Sequence, residues 1–291
     1  MPDAPAAGRS LPRTALQRAG RSTRFAGRRA TAPWRPLPDF VIIGTQRGGT
    51  TSLYQWLAAH PQVTPSLKKE VHYFDGQYFR GERWYRAHFP LGHEGRVTGE
   101  SDPYLLFHPL APVRVAADLP ATSKFIAVLR EPTQRAISQY WHWRRQGDLE
   151  TETLERAIEL EPSRLAPERE RFLRGERCHE YIAHSYVARG EYAPQLARWF
   201  DAVGRDRVLV VESERLFGDA DASREIVEWL GLPAHAVPYP VVNGAPRLEE
   251  ADPALVERLQ AHFAPWNEQL FELLGRELWT GPPAGGPGHS W

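Results

Sequence analysis

Cysteine is nearly absent from this sequence, which has a single one, Cys178, among 291 residues. One cysteine excludes an intramolecular disulfide and a metal site built from several cysteines, and it fits a reducing compartment. Long apolar runs are absent too, because no stretch approaches the ~18 residues that a membrane-spanning helix needs. The sequence therefore predicts a cytoplasmic protein without a membrane partner.

Net charge is absent as well, since 36 basic residues balance 36 acidic residues. The charges are unevenly placed along the chain. Residues 1–36 contain eight arginines and one acidic residue, a net charge of +7, which leaves the remainder net acidic. An acidic body argues against a nucleic-acid partner, because nucleic acids bind basic surfaces.

The two ends of the sequence lack the apolar periodicity of packed elements. Residues 1–36 combine arginine with scattered proline, glycine and serine, and we interpret them as a flexible basic tail, with an organelle-targeting peptide as the alternative. Residues 281–291 are rich in glycine and proline and indicate a second flexible tail. The folded domain is therefore expected over residues 37–280.

Between these ends, apolar runs of buried-strand type alternate with segments of helical spacing. The predicted strands are 40–44, 96–99, 125–129 and 207–212, and the predicted helices include 50–57, 132–143, 222–230 and 252–274. Strands separated by helices imply an α/β fold with a central, mainly parallel sheet flanked by helices in three layers. Residues 150–203 are charged and helical, which indicates a cap or insertion beside the sheet.

A glycine-rich turn, Gly44–Thr51, joins the first predicted strand to the first predicted helix. It nearly matches the Walker A pattern and makes the expected fold P-loop-like, because such a turn presents backbone N–H groups to a phosphate. Thr50 occupies the position of the Walker A lysine, however, and strand 125–129 is followed by Arg130 instead of a carboxylate that binds Mg²⁺. An ordinary kinase or ATPase is therefore disfavoured, and Arg47 is the cation of the turn.

Two further segments contain groups suited to chemistry. Arg130 follows a buried strand and Ser138 lies eight residues later, so the pair is suited to a second phosphate, although arginines that only pair on a surface are as common. Glu70 follows Lys68–Lys69 and precedes His72. This pattern favours a positioned general base, although a solvated surface turn has the same composition.

Six motifs occur in one order along the chain, at residues 45–53, 69–75, 99–109, 128–140, 189–192 and 212–216. Together they resemble the PAPS-dependent sulfotransferases, especially the heparan sulfate sulfotransferase branch and its bacterial relatives. The resemblance covers roughly residues 38–279. It implies an enzyme that transfers a sulfuryl group from 3′-phosphoadenosine 5′-phosphosulfate (PAPS) to a hydroxyl group, and it implies no metal.

The resemblance also implies roles for individual residues. The turn would grip the 5′-phosphosulfate end of PAPS through Arg47, Gly48, Gly49, Thr50, Thr51 and Ser52. Arg130 and Ser138 would bind the 3′-phosphate, which distinguishes this donor from ATP. Glu70 would be the general base for the acceptor hydroxyl, and His72 would lie near the acceptor.

The sequence departs from the family pattern at two positions. Arg47 stands where the family has a lysine that stabilises the leaving phosphate, and arginine keeps that charge. Ser101 stands where heparan-acting members often have a lysine, and their disulfide is missing here, so a small-molecule or carbohydrate acceptor is expected. His142, His179 and His184 are predicted to be surface or structural residues. A P-loop kinase and an inactive nucleotide-binding protein of the same fold remain the alternatives.

Overall fold

A computed structural model of the protein describes residues 24–92, 95–147, 149–218, 220–234 and 251–280. The second predicted tail, 281–291, lies outside the described residues. Most of the first predicted tail, residues 1–23, lies outside them as well.

The centre of the fold is a sheet of five strands in the order β2-β3-β1-β4-β5, in which every pair is parallel. The strands are β1 (Phe40–Gly44), β2 (Val63–Pro65), β3 (Val97–Ser101), β4 (Lys124–Leu129) and β5 (Val208–Glu212). The predicted parallel sheet is confirmed. The sequence analysis missed β2, because an edge strand of three residues that ends in proline has too short an apolar pattern.

Helices surround this sheet. Residues 24–30 are helical (α1). The others are α2 (Thr50–Ala58), α3 (Glu82–Arg86), α4 (Ala111–Asp118), α5 (Pro132–Arg144), α6 (Leu154–Leu165), α7 (Arg169–Leu173), α8 (His179–Ala183), α9 (Tyr192–Val203), α10 (Ser213–Gly218), α11 (Ala220–Leu230) and α12 (Pro253–Leu274). Shorter turns lie at Ala32–Trp34, Tyr73–Gln77, Tyr78–Arg80, Ala166–Glu168, Ala188–Gly190 and Arg205–Arg207. Within the described part of the chain, every helix is too short or too polar to cross a membrane.

The strands are apolar on both sides because both faces of the sheet are covered. Val41 and Ile43 of β1 pack into a core cluster with residues of α4, α9 and α12. Phe40 and Ile42 point the other way, into a cluster with residues of α2 and α11. All five residues of β1 are buried. The continuous apolar run that predicted this strand is therefore typical of a central parallel strand, which is buried on both faces.

A proline and a capping side chain determine where α5 starts, and they therefore also determine where the chain leaves β4. Pro132 occupies the first turn of α5, where its missing N–H breaks no helical hydrogen bond. The side chain of Glu131 accepts hydrogen bonds from the N–H groups of Thr133 and Gln134. Since Glu131 caps the helix in this way, Arg130 is held between the strand and the helix.

Residues 24–36 contact the domain although residues 1–36 are interpreted as a flexible tail, and the boundary at residue 36 stays a prediction. The ring of Phe25 in α1 lies 6.1 Å from the ring of Trp84 in α3. Arg35 donates a hydrogen bond from Nη1 to the carbonyl oxygen of Phe89. These contacts involve single, widely spaced side chains, so the sequence shows no apolar periodicity there.

The predicted cap, residues 150–203, divides into two parts. α6 packs on α5, and α7 and α8 pack beside them through Phe172 and Tyr181, whose rings stack at 3.9 Å. α9 packs on the sheet instead, since Trp199 is fully buried and its ring lies 5.3 Å from that of Phe125 in β4. α6–α8 thus lie beside α5 and α9 lies on the sheet, and the interpretation of residues 150–203 as a cap stays a prediction.

Candidate active site

The segments singled out in the sequence meet at the carboxyl edge of the sheet. β1 lies between β3 and β4, so the strand order reverses at this point. Such a reversal leaves a crevice at the carboxyl ends of the strands, and α/β proteins bind ligands there. The glycine-rich turn follows β1, Asp102 follows β3 and Arg130 follows β4.

The turn after β1 packs tightly against β4. A side-chain carbon added to Gly48 would lie 2.6 Å from the carbonyl oxygen of Val128, so glycine is required there. Gly48 N–H donates a 2.9 Å hydrogen bond to the carbonyl oxygen of Thr45. Arg47 and Gly49 both adopt left-handed backbone, with φ of 70° and 90°. A left-handed arginine costs roughly 1–2 kcal/mol, and such strained residues concentrate at functional sites.

α2 begins directly after the turn, and no side chain caps it. Its N-cap residue is Gly49, which has no side-chain cap hydrogen bond. The first N–H groups of a helix have no partner within the helix, and the helix dipole adds partial positive charge at that end. The N–H groups of Thr50, Thr51 and Ser52 are therefore suited to an anion.

Arg47 connects this turn to α5. Its Nε lies 3.2 Å from Ser138 Oγ, and its Nη1 lies 3.5 Å from His142 Nδ1. Ser138 and His142 are four residues apart and share one face of the helix. The structure thus joins two segments that the sequence analysis treated as separate phosphate sites. It also places His142 beside Arg47, and the interpretation of His142 as a surface or structural residue stays a prediction.

Positive charge surrounds Arg47. Burial lowers the pKa of Arg47 to about 10, and the charges of three further arginines, Arg130, Arg145 and Arg135, act in the same direction. His142 lies in the same field, because burial and the charges of Arg47 and Arg145 lower its pKa to about 4 and keep it neutral at pH 7. Like charges repel, so a cluster of this kind is suited to an anion with several charges.

The backbone of Arg130 is fixed from two sides. The hydroxyl of Tyr192 in α9 donates a 2.8 Å hydrogen bond to the carbonyl oxygen of Arg130. The next residue, Glu131, donates its N–H to Glu214 Oε1 at 3.3 Å. The charge of Arg130 acts both on Arg47 and on the buried carboxyl group of Glu214. Arg130 therefore lies within electrostatic reach of the turn, at the end of β4.

Glu70 lies on the other side of the turn, beside the end of β3. Its N–H donates a 3.1 Å hydrogen bond to the carbonyl oxygen of Ser101, and its φ is 58°. Its side chain is 39% exposed and forms an ion pair with Lys69 Nζ. Glu70 Oε2 lies 3.8 Å from His72 Nε2, and the charge of Glu70 also acts on His142. An accessible carboxylate at this edge can accept a proton, which is the chemistry that the predicted general base needs.

His72 is fixed by two buried carboxylates. Its Nδ1 lies 3.0 Å from Asp75 Oδ2 and 3.3 Å from Asp102 Oδ2, and its backbone N–H donates a 3.0 Å hydrogen bond to Asp102 Oδ2. Burial by itself would lower the pKa of His72, but the charges and hydrogen bonds of the two carboxylates outweigh it and raise the pKa to about 10. His72 is therefore an imidazolium at neutral pH, with Nε2 facing Glu70.

The same three residues have the spacing of a metal site. His72, Asp75 and Asp102 place one possible ligand atom each within 4.8 Å of one another. Hydrogen bonds already join these atoms, however, and Arg177 Nη1 lies 3.3 Å from Asp75 Oδ2. A guanidinium at a ligand oxygen repels a metal cation, so the cluster fits a charged hydrogen-bond network better. The predicted absence of a metal stays a prediction.

Sequence reasoning missed part of this region. The sequence could have indicated that His142 belongs to this region, because it lies four residues after Ser138 and such spacing puts both on one helix face. Arg145, whose charge acts on Arg47, lies outside the six motifs. Asp102 lies in the motif at residues 99–109, but that motif does not show its contact with His72, which is 30 residues away in the chain.

A protein family and several known proteins are similar to this chain. The sulfotransferase domain family matches residues 37–246. Heparan sulfate glucosamine 3-O-sulfotransferase 6 of Homo sapiens is 30% identical over 272 residues, which cover 85% of this chain and 75% of that protein. Heparan sulfate glucosamine 3-O-sulfotransferase 3A1 of Mus musculus is 28% identical over 275 residues, which cover 85% of this chain and 65% of that protein. This chain thus spans just under two thirds of the second relative.

A solved structure agrees with these sequence relatives. The crystal structure of a sulfotransferase from Alicyclobacillus acidocaldarius matches with a TM-score of 0.67 and 30% identity, over 84% of this chain and 98% of that chain. The family match covers well over half of the chain. The resemblance predicted from the motifs is confirmed: this chain belongs to the sulfotransferase family, the class of enzymes that transfer a sulfuryl group from PAPS.

Proposed function

We propose that this chain transfers the sulfuryl group of PAPS to a hydroxyl group of a carbohydrate or small-molecule acceptor, with Glu70 as the general base. The observation that carries the proposal is the position of Arg47. It lies in the turn at the start of α2, contacts Ser138 and experiences the charge of Arg130. One region at the sheet edge therefore offers cations to both phosphate-bearing ends of such a donor, with Glu70 beside it.

The donor contacts follow from the charges and donors of this region. Arg47 and the N–H groups of residues 48–52 would hold the 5′-phosphosulfate, since both the guanidinium and the start of α2 attract anions. Arg130 and Ser138 would hold the 3′-phosphate through charge and a hydroxyl donor. Burial, followed by the charges of Arg130, Arg145 and Arg135, lowers the pKa of Arg47, and a bound anion would stabilise its charged form. The residues present therefore fit the donor.

The transfer step moves one proton and one sulfuryl group. Glu70 takes the proton of the acceptor hydroxyl as the acceptor oxygen forms a bond to sulfur. The bond between sulfur and the bridging phosphate oxygen breaks, and its electron pair remains on the 5′-phosphate. Arg47 and the N–H groups of the turn neutralise that charge, and such preorganised donors supply most of the rate enhancement in group transfer.

The acceptor class rests on the relatives and on one position of this chain. The curated relatives are named for action on glucosamine in heparan sulfate, which supports a carbohydrate hydroxyl. Heparan-acting members often have a lysine where this chain has Ser101, and Ser101 is fully buried. That position therefore offers no cation to a sulfated polymer, so we assign an acceptor with little sulfate.

A labelling experiment tests the proposal. The purified chain is incubated with ³⁵S-labelled PAPS and separate pools of acceptors: heparan sulfate, unsulfated polysaccharides, neutral oligosaccharides, phenols and lipid alcohols. We expect label in one unsulfated hydroxyl-bearing class, with the product identified by mass spectrometry. Label in heparan sulfate alone would contradict the acceptor assignment. No label in any pool, together with no binding of 3′,5′-bisphosphoadenosine, would contradict the function itself.

Ligand binding separates the proposal from its two alternatives. A ligand at 100 times its Kd stabilises the folded state by about 2.7 kcal/mol, which raises the melting temperature measurably. We expect this rise with 3′,5′-bisphosphoadenosine and little effect of ATP with Mg²⁺, whereas a kinase would give the opposite order. An inactive binding protein would show the rise but transfer no label to any acceptor.

A further inference from the structure

Glu70 and His72 lie in a turn whose backbone conformation is unfavourable by itself. Both have left-handed backbone, with φ of 58° and 59°. Each such non-glycine residue costs roughly 1–2 kcal/mol, so contacts from outside the turn must stabilise it. The contacts in the structure come from the end of β3, where the carbonyl oxygen of Ser101 accepts the N–H of Glu70 and the side chain of Asp102 accepts the N–H of His72.

Asp102 is anchored to the centre of the sheet. Its N–H donates a 3.0 Å hydrogen bond to the carbonyl oxygen of Ile42 in β1, and the residue is 1% exposed. Its Oδ2 contacts His72 twice, at the backbone N–H (3.0 Å) and at Nδ1 (3.3 Å). One carboxylate thus fixes both the backbone and the ring of His72 relative to β1, the strand that carries the glycine-rich turn.

We propose that Asp102 is a positioning residue for sulfuryl transfer: it holds the turn of Glu70 and His72 against the sheet, so that the carboxylate of Glu70 faces the donor region around Arg47. The proposal rests on the proposed function, in which Glu70 is the base. Asp102 itself does not touch the reacting atoms. Its effect passes through His72, whose Nε2 lies 3.8 Å from Glu70 Oε2.

Asp75, the other buried carboxylate that contacts His72, has a different role. Asp75 lies three residues after His72 on the same segment, so its contact does not tie that segment to the sheet. Asp75 Oδ2 also contacts Arg177 at 3.3 Å. Asp102, by contrast, comes from another strand and links two parts of the chain 30 residues apart. Removing Asp102 therefore breaks the hydrogen bond that holds the backbone of His72 at the end of β3, whereas removing Asp75 leaves that hydrogen bond in place.

Charge in the cluster supports this geometry. The groups that face His72 are the carboxylates of Asp102 and Asp75 at Nδ1 and that of Glu70 at Nε2. Glu100 lies behind them on β3, where burial and the charge of Asp102 raise its pKa to about 8 and keep it neutral at pH 7. Burial opposes ionisation of Asp102, but the charge and hydrogen bonds of His72 outweigh it and lower the pKa of that carboxyl.

The test compares turnover with donor binding in Asp102 variants. Displacing a catalytic group by about 1 Å costs on the order of 100-fold in rate. We expect Asp102→Ala to lower kcat by about 100-fold and Asp102→Asn, which keeps an acceptor for the His72 N–H, by about 10-fold. The Kd for 3′,5′-bisphosphoadenosine should change by no more than about twofold, because the donor contacts lie after β1 and β4. The control is Asp118→Asn at the end of α4, whose carboxylate accepts hydrogen bonds from Tyr73 and Tyr78.

A double variant separates failure of this proposal from failure of the proposed function. If Asp102 acts through Glu70, then Glu70→Gln combined with Asp102→Asn should be no slower than Glu70→Gln alone. Losses that multiply would overturn the positioning role. Near-normal turnover of Glu70→Gln would contradict the base assignment instead. Near-normal turnover of Asp102→Ala beside a slow Glu70→Gln would contradict only the role of Asp102.

A measurement on the unaltered protein covers the case in which an Asp102 variant does not fold. In ¹⁵N-histidine-labelled protein, the ring signals of His72 are identified by their loss in His72→Gln. We expect both ring nitrogens to remain protonated at pH 8, because both contacting carboxylates stabilise the imidazolium. A ring without a proton on Nδ1 at pH 8 would donate no hydrogen bond to Asp102, and that result would overturn the proposal.

Discussion

Arg47 donates a 3.2 Å hydrogen bond from Nε to Ser138 Oγ, and this contact joins the turn after β1 to the helix after β4. It spans 91 residues of the chain. Because of it, a residue expected at the 5′ end of the donor and a residue expected at the 3′ end lie in one connected site. The predictions below follow from that connection and from the charges around it.

Replacing Arg47 should slow transfer. Arg47→Ala removes the cation of the turn, and the loss of one preorganised donor to a developing negative charge lowers kcat by about 10²–10³-fold. Arg47→Lys keeps the charge without the planar fork and should recover part of that loss. Steady-state kinetics with labelled donor measure both variants. The matched control is Arg83→Ala, at an exposed arginine of α3, which should retain full activity; equal turnover of Arg47→Ala and this control would contradict the role of Arg47.

Replacing Arg130 should remove the preference for a 3′-phosphate. Truncating one partner of a close charge pair costs about 2–5 kcal/mol. Arg130→Ala should therefore weaken binding of 3′,5′-bisphosphoadenosine by that amount and leave the weaker binding of 5′-AMP nearly unchanged. Isothermal titration calorimetry with both ligands measures the difference. Equal losses for the two ligands would assign Arg130 to another part of the donor.

Replacing Glu70 should lower turnover without loss of donor binding. General-base catalysis contributes about 10²–10⁴-fold, so Glu70→Gln should lower kcat by that factor. The amide has nearly the shape of the carboxylate, so the Kd for 3′,5′-bisphosphoadenosine should stay near that of the unaltered protein. An exposed glutamate without a role would give no change in rate. A variant that no longer binds the bisphosphate would make Glu70 a structural residue.

Glu100 should make the protein less stable as the pH rises through neutrality. Burial, followed by the charge of Asp102, raises the pKa of Glu100 from 4.5 to about 8. Between these values the folded chain holds one proton more than the unfolded chain, so this contribution is complete below pH 4.5 and declines by about 1.4 kcal/mol per pH unit up to pH 8. Glu100→Gln keeps an acceptor for the hydroxyl of Tyr85, which donates to Glu100 Oε1.

Chemical denaturation at pH 5, 6, 7 and 8 measures this effect. The difference in unfolding free energy between the unaltered protein and Glu100→Gln should shift steadily in favour of the variant as the pH rises. A difference that stays constant over this range would mean that Glu100 is ionised in the folded protein.

Truncation should locate the start of the folded domain. Deletion of residues 1–23 should leave the melting temperature and turnover unchanged, because this arginine-rich stretch has no apolar periodicity. Deletion of residues 1–36 also removes Phe25 and Arg35, which contact α3 and Phe89, so it should lower the melting temperature by at least about 3 °C. Differential scanning fluorimetry measures the melting temperatures of both deletions. Equal melting temperatures would support a domain boundary at residue 36.

The sequence by itself determined four of the five described strands of the sheet and their parallel direction. β1 and β4 are buried on both faces, so nearly every residue in them is apolar and the strand stands out without any partner. The turn Gly44–Thr51 was equally visible, because the close approach of Gly48 to β4 requires glycine. The ordered motifs then predicted the family and the donor. These features depend on residues that are neighbours in the chain, and a sequence displays such neighbours directly.

Only the tertiary structure decided which side chains meet. The order of strands places Arg130 beside the turn, and the crossing of α5 brings Ser138 and His142 to Arg47. Asp102 follows β3, and His72 lies on the segment after β2, which pairs with β3, so the two residues meet although they are 30 residues apart in the chain. Contacts between distant segments depend on register and helix orientation, which the packing of the whole core sets, and so the charged surroundings of Glu70 and Arg47 became visible only in the folded chain.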